Sequence, residues 1–407
     1  MTFTKRITTA IATGAVLVNA LAPVALAQEI NVEGNGAFSD NGVAVSNNSN
    51  TAVSQTNNAN VTNKVSSNAS SGGNTSKFNT GGSSSIDTGA AISSTTINNS
   101  LNSNSANLPS CGNCAAGATD VNVSGNGAYN DTVVGVNNNK SVTLNQDNKA
   151  NVKNYVDANA TTGGNDSKFN TGGTTGITTG AASTIANVST MANANVATLG
   201  GSNGLAGGSS VTIDGNGAFS DNNVGLNQNS AVVLNQDNSA YVKNIVDAKS
   251  STGKNDSKFN TGGDNSIDTG AATTGVTVDN AVNFNVASVD CGCVLGEGLA
   301  VTIEENGAKS LNNVGASLNN ALLAGQDNGT HLYNDVDGKA KSGHNDSAFG
   351  TGGDNDTTAG ETLSVTEVSN QGNVNVLQNG SSLSLPELDF DFDLSDLWLS
   401  LNHWLVA

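Results

Sequence analysis

The stretch that decides the fold is Val142-Thr143-Leu144-Asn145-Gln146-Asp147-Asn148-Lys149-Ala150-Asn151-Val152-Lys153-Asn154-Tyr155-Val156-Asp157-Ala158. Its even positions carry Val, Leu and Ala, together with Gln146, Asn148 and Asn154. Its odd positions carry Thr143, Asn145, Asp147, Lys149, Asn151, Lys153, Tyr155 and Asp157. A period of two is the signature of a β-strand with two unlike faces. Amides on the apolar face must find partners for both donor and acceptor. Stacked layers supply them, because the same amide in the next layer gives one hydrogen bond and takes another.

The stretch recurs. Val232, Leu234, Gln236, Asn238, Ala240, Val242, Asn244, Val246 and Ala248 repeat it residue for residue on the apolar face. Gln55, Gln146, Gln236 and Gln326 advance in steps of 91, 90 and 90 residues. Phe78, Phe169, Phe259 and Phe349 keep the same beat in the phrase Lys-Phe-Asn-Thr-Gly-Gly and its degenerate fourth copy. A third marker opens each unit: Gly34-Asn35-Gly36-Ala37, Gly125-Asn126-Gly127-Ala128, Gly215-Asn216-Gly217-Ala218 and Glu305-Asn306-Gly307-Ala308. Three markers in one register define an array of four units rather than one catalytic core.

A second alternating stretch closes each unit; in the third it is Val276, Val278, Asn280, Val282, Phe284 and Val286. Gly/Asn/Asp/Thr clusters between the two stretches, such as Gly262-Gly263-Asp264, read as turns. The three prolines, Pro23, Pro109 and Pro386, all lie outside the unit bodies, as β ladders require. The expected fold is all-β: a β-solenoid resembling a parallel β-helix, built from four units of about ninety residues, each supplying several coils. The alternative is a string of β-sandwich modules, a size that such domains often have. The organisation is a signal segment at 1–27, repeats at 28–110, 111–205, 206–290 and 291–380, and a C-terminal segment at 381–407.

The first residues read as a secretory signal: Lys5 and Arg6, an apolar run from Ile7, and Ala25-Leu26-Ala27 before a mature start at Gln28. The run is short and interrupted for a membrane span. The whole chain carries −19, and losing Lys5 and Arg6 takes it to −21. Scarce, scattered positive charge argues against nucleic-acid binding. Asn accounts for roughly one residue in six, a bias that suits repetitive structure more than catalysis.

Candidate chemistry is thin. Cys111, Cys114, Cys291 and Cys293 lie in the joins between units, and in an exported chain they read as disulfide candidates before zinc ligands. Asp214-Gly215-Asn216-Gly217 and Gly262 to Asp268 are loosely like calcium loops but lack the spacing of a calcium motif, so they read as Asx turns with at most weak Ca2+ binding. None of His331, His344 and His403 has a Ser/Asp constellation that the sequence defends, and the first two sit inside repeats. Asp166, Asp256 and Asp346 recur at one unit position, which suits structure better than a catalytic centre. No catalytic, cofactor or metal residue is assigned. Past Leu383 the style changes: Phe390, Phe392 and Leu394 alternate with Asp389, Asp391 and Asp393, and Trp398 and Trp404 follow. This segment reads as a strand capping the last coil, or as a docking segment for a neighbour.

Asn57-x-Ala59-x-x-x-Asn63, Asn148-x-Ala150-x-x-x-Asn154 and Asn238-x-Ala240-x-x-x-Asn244 resemble part of the curlin repeat, whose amides stack in an amyloid-like solenoid. Asn328-x-Thr330-x-x-x-Asn334 departs at one place. More broadly, Asn-Thr-Gly-Gly and Ile86-Asp87-Thr88-Gly89-Ala90 resemble the secreted Asn/Gly/Thr-rich repeat proteins of candidate-phylum bacteria. That resemblance implies a bacterial cell-surface or extracellular location. The expected role is non-enzymatic, structural or adhesive, acting by self-assembly or by multivalent contact with glycans or other surface components. The alternative is a carbohydrate-binding or polysaccharide-cleaving β-helix.

Overall fold

Each unit folds as one coil of a parallel β-solenoid. The structure is a computed structural model and describes residues 18–19, 28–108, 119–200, 209–289 and 299–379. Every regular element among them is a strand, and every strand pairing is parallel, in five sheets.

Each coil uses the same five strands. An opening strand (Gln28–Glu33, Thr119–Ser124, Ser209–Asp214, Leu299–Glu304) leads through a tight loop into a long strand (Asp40–Gly72, Asp131–Gly163, Asp221–Ser251, Leu311–Lys341). Two short strands turn the far end, Thr75–Lys77 and Ser84–Thr88 in the first coil. A closing strand then returns (Ala91–Leu108, Ala182–Leu199, Ala272–Val289, Thr362–Asn379). The pair Val18–Asn19, inside the expected signal segment, lies beside Ala106 and Asn107. Register between coils follows the sequence beat, with Gln236 opposite Gln146 and Gln326.

The expectation of several coils per unit is corrected: one unit closes one coil. The reason lies in where turn residues occur. The long strand runs 33 residues in the first two coils without proline or a chain reversal, so nothing folds it back early. At about 3.3 Å per residue that strand spans roughly 105 Å, while four coils stacked at about 4.8 Å rise only about 19 Å. The molecule is a wide, thin slab.

The long strands form one layer. Closing and opening strands lie end to end across the other. Gln55 bonds across to Ser105, Asn63 to Asn99 and Ser93 to Ser67, so the closing strand runs back along the long one. Ile30 and Val32 pack with Val43 and Val45 at the other end. The core between layers is Val, Ala, Leu and Ile interleaved with Asn, Thr and Ser. Each buried aliphatic side chain contributes about 1.5–3 kcal/mol, but small residues limit the total, so the amides must be satisfied.

The closing strand departs from simple alternation. Asn102, Asn193, Asn283 and Asn373 have left-handed backbone (φ 53°, 62°, 62° and 59°), and each skips a place in the pairing. The face that looks inward therefore changes parity there. Val276, Val278, Asn280 and Val282 face the core as read, but beyond Asn283 it is Asn285, Ala287 and Val289 that do. Phe284 packs instead with Ala281, Met191 and Val374 in a separate cluster. Asparagine tolerates this conformation better than most residues. A lone Asn in an Asn-rich strand gave no warning of it.

Candidate functional site

The groups that could carry function are all ladders running along the solenoid axis. Gln146 Nε2 donates to Gln55 Oε1 (2.7 Å), Gln236 to Gln146 (2.8 Å) and Gln326 to Gln236 (2.7 Å). Each glutamine also donates to a backbone carbonyl of the facing layer, that of Ser105, Val196, Val286 or Val376. Asn57, Asn148, Asn238 and Asn328 form a second ladder, and Asn63, Asn154, Asn244 and Asn334 a third. Asn104, Asn195, Asn285 and Asn375 answer them from the closing layer. Asn148 joins the two layers directly, its Nδ2 2.8 Å from Asn195 Oδ1. A buried amide so bonded adds about 1 kcal/mol per hydrogen bond, and leaving one unpaired costs about 1–3 kcal/mol.

Phe78, Phe169, Phe259 and Phe349 stack outside the core, at the turning end, with ring centroids 4.9–5.2 Å apart. A second aromatic ladder stands at the opposite end of the slab, where the opening strand turns: Phe38, Tyr129 and Phe219, with Lys309 5.3 Å over the last ring. The sequence reading passed over it, although 38, 129 and 219 keep the same beat just after Gly-Asn-Gly-Ala. Both sets have left-handed backbone. Offset stacking contributes about 0.5–1.5 kcal/mol per pair, which offsets that local strain.

The repeated acid is one half of a salt-bridge ladder. Lys77 pairs with Asp166, Lys168 with Asp256 and Lys258 with Asp346, each lysine reaching into the following coil. Lys168 also lies 2.9 Å from Asp166, in its own coil. Partial burial pushes the Asp166 carboxyl up, but Lys77 and Lys168 outweigh it and hold the carboxyl below its ordinary value. Asp256 and then Asp166 raise Lys168 in turn. A second acid ladder has no cation between its rungs: desolvation, then the neighbouring Asp147 and Asp327, push Asp237 above its ordinary value.

On the outer face of the long sheet, Lys243 lies 5.9 Å from the Tyr155 ring and 5.4 Å from Tyr333, and Lys64 lies 5.9 Å from Tyr155. Tyr241 stacks on His331 at 5.0 Å. Thr62, Tyr155, Asp157, Ile245 and Asp247 line a shallow groove there. In the loop read as weakly calcium-like, Asn216 Nδ2 donates to Asn306 Oδ1 and to the Val123 carbonyl, so its amide serves the ladder. Among the described residues no three His, Cys, Asp or Glu side chains gather to hold a metal, and no helix is long and apolar enough to cross a membrane. Cys111, Cys114, Cys291, Cys293, Phe390, Phe392, Trp398, Trp404 and His403 lie outside the described residues.

The solenoid has two open edges. Among the described residues no strand covers the long strand of the first coil or of the fourth, which leaves rows of backbone N–H and C=O groups there without a ladder partner from those residues. No family model, curated protein or solved structure matches this chain.

Proposed function

We propose that this chain is a non-enzymatic, extracellular structural protein of a bacterial cell surface, working by self-assembly. The observation that carries this reading is the use made of its polar groups. Amides, acids, lysines and rings recur coil after coil, and most are spent bonding the coil before or after. A catalytic centre needs an acid, base or nucleophile held once in a distinct constellation. Here Asp166, Asp256 and Asp346 are locked into a lysine ladder. Export follows from the reading of Lys5 to Ala27 as a signal.

A second reading, multivalent contact with glycans, draws on the outer-face tyrosines and lysines around Tyr155. Weak contacts repeated along a rigid face gain strength by avidity. Two measurements test the proposal. The chain from Gln28, incubated with acidic and neutral polysaccharides, should release no reducing ends or unsaturated sugars; turnover would contradict it. Antibody to the repeats should label intact cells; protein confined to the cytoplasm would contradict it equally.

A further inference from the structure

The first coil keeps glycines that only a preceding coil would require. A Cβ on Gly127, Gly217 or Gly307 would stand 2.4, 2.4 or 2.3 Å from the backbone of the coil before it. The same holds for Gly173, Gly263 and Gly353 at 2.5, 2.6 and 2.5 Å, and for Gly180, Gly270 and Gly360 at 2.6, 2.6 and 2.3 Å. Such approaches exclude any side chain. Among the described residues the first coil has no coil before it, yet Gly36, Gly82 and Gly89 occupy all three places. Each has open space around it, and none has a positive φ. Nothing among the described residues demands glycine there.

We infer that the open edge of the fourth coil receives the first coil of a second copy of this chain, in the register that joins coils within one chain. The inference rests on the self-assembly reading and supplies its partner and its edge. A first coil set on a fourth places Phe78 on Phe349, Gln55 by Gln326, Asn57 by Asn328 and Val65 on Val336. The main amide ladders are polar in the right sense. Asn57, Asn148 and Asn238 each donate toward the later coil, so on that ladder the fourth coil offers amide N–H where the first offers carbonyl oxygen. The glutamine ladder runs the other way, each later glutamine donating to the earlier one, and head-to-tail stacking keeps both senses.

The charges also match. Lys64 meets Asp335 across the junction, whereas within the chain Lys64 registers with Tyr155 and Asp335 with Ile245. The Lys–Asp ladder ends without a stranded charge: Thr75 stands where later coils have Asp, and Ala348 where earlier coils have Lys. The like-charge ladder stops as well, since Asp327 meets Thr56. Among the described residues one pair opposes the junction, Glu33 with Glu304, and both are exposed, where solvent screens them. Val18–Asn19 pairs with the first edge at Ala106 and Asn107, and cleavage after Ala27 would remove it. A head-to-tail contact that does not close on itself builds a filament.

The test uses the mature chain, Gln28 to Ala407, examined by negative-stain microscopy and fibre diffraction over a range of concentrations. The expected result is unbranched filaments about 105 Å wide with a meridional reflection near about 4.8 Å. A chain carrying Gly36→Ala, Gly82→Ala and Gly89→Ala should keep the wild-type circular dichroism and melting temperature while its critical concentration rises about tenfold or more. Lys64→Asp or Asp335→Lys alone should raise it too, and the two together should restore it. Filaments indifferent to all these variants would overturn the inference while leaving self-assembly standing through another surface. Monomers at every concentration would overturn both. Filaments that form only after removal of 380–407 would assign the edge to the chain's own C-terminal segment, which also overturns the inference.

Discussion

The second and third coils and the first and fourth coils carry nearly the same residues in different surroundings. Gln146 and Gln236 are 1% and 0% exposed, while Gln55 and Gln326, with the same kinds of bonds, are only half-buried. Phe169 and Phe259 are each 44% exposed, against 72% for Phe78 and 70% for Phe349. The side chain is constant and the neighbour is not. A residue's worth in this molecule is therefore set by whether a coil lies on both sides of it, as nearest-neighbour energetics of repeat arrays require.

The glycine of the opening loop should show the largest difference. Gly127→Ala drives a methyl into the Ala37 backbone and should cost about 3 kcal/mol, while Gly36→Ala in the monomer should stay within about 0.5 kcal/mol. Urea melts of the two variants measure it; equal losses would break the comparison. Next comes the central amide. Asn238 donates to Phe284 O, Asn285 Oδ1 and Asn328 Oδ1, and accepts from Asn148 and Asn195. Asn238→Ala should cost about 3 kcal/mol, and Asn57→Ala, with no coil before it, about 1 kcal/mol.

Acidity sharpens the contrast between ladders. Asp237 has a raised folded pKa, so its contribution favours folding at low pH and is lost as pH rises through that value. Asp166 has a lowered one, so its contribution is present above the unfolded value and is lost as pH falls through the folded pKa. Asp237→Asn should therefore raise the melting temperature at pH 7 and remove the gain on mild acidification, modestly because the site is open to solvent. A fall in melting temperature at pH 7 would contradict this account of the Asp237 ladder. The smallest effect belongs to the rings: Phe169→Ala should cost about 1 kcal/mol and Phe78→Ala about half that, since one has two stacking partners and the other has one. Thermal melts resolve the pair.

Much of this was legible in the sequence. Val142 to Ala158 alternated as a strand does, and its even positions are the buried ones, Gln146, Asn148 and Asn154 included. The beat of Gln55 and Phe78 set the register between coils. The number of coils was not legible, because periodicity gives the face of a strand and not its length; the missing turn between Asp131 and Gly163 was the available sign. The parity change at Asn283 was hidden by composition, since one asparagine in left-handed conformation has no neighbour that marks it out. The partners of Asp166 needed the fold, although Lys77, Lys168 and Lys258 stood in the repeated phrase itself.

The central claim is that ninety residues make one coil. Spin labels at Asn151→Cys and Tyr241→Cys, in a chain whose Cys111, Cys114, Cys291 and Cys293 are serine, test it most directly. These two positions are register partners on the outer face, about 4.8 Å apart in a parallel sheet. The account predicts strong spin–spin broadening in the double-labelled chain, absent from either single label. A double-label spectrum as narrow as the sum of the singles would mean that the units coil within themselves, and the account would fail.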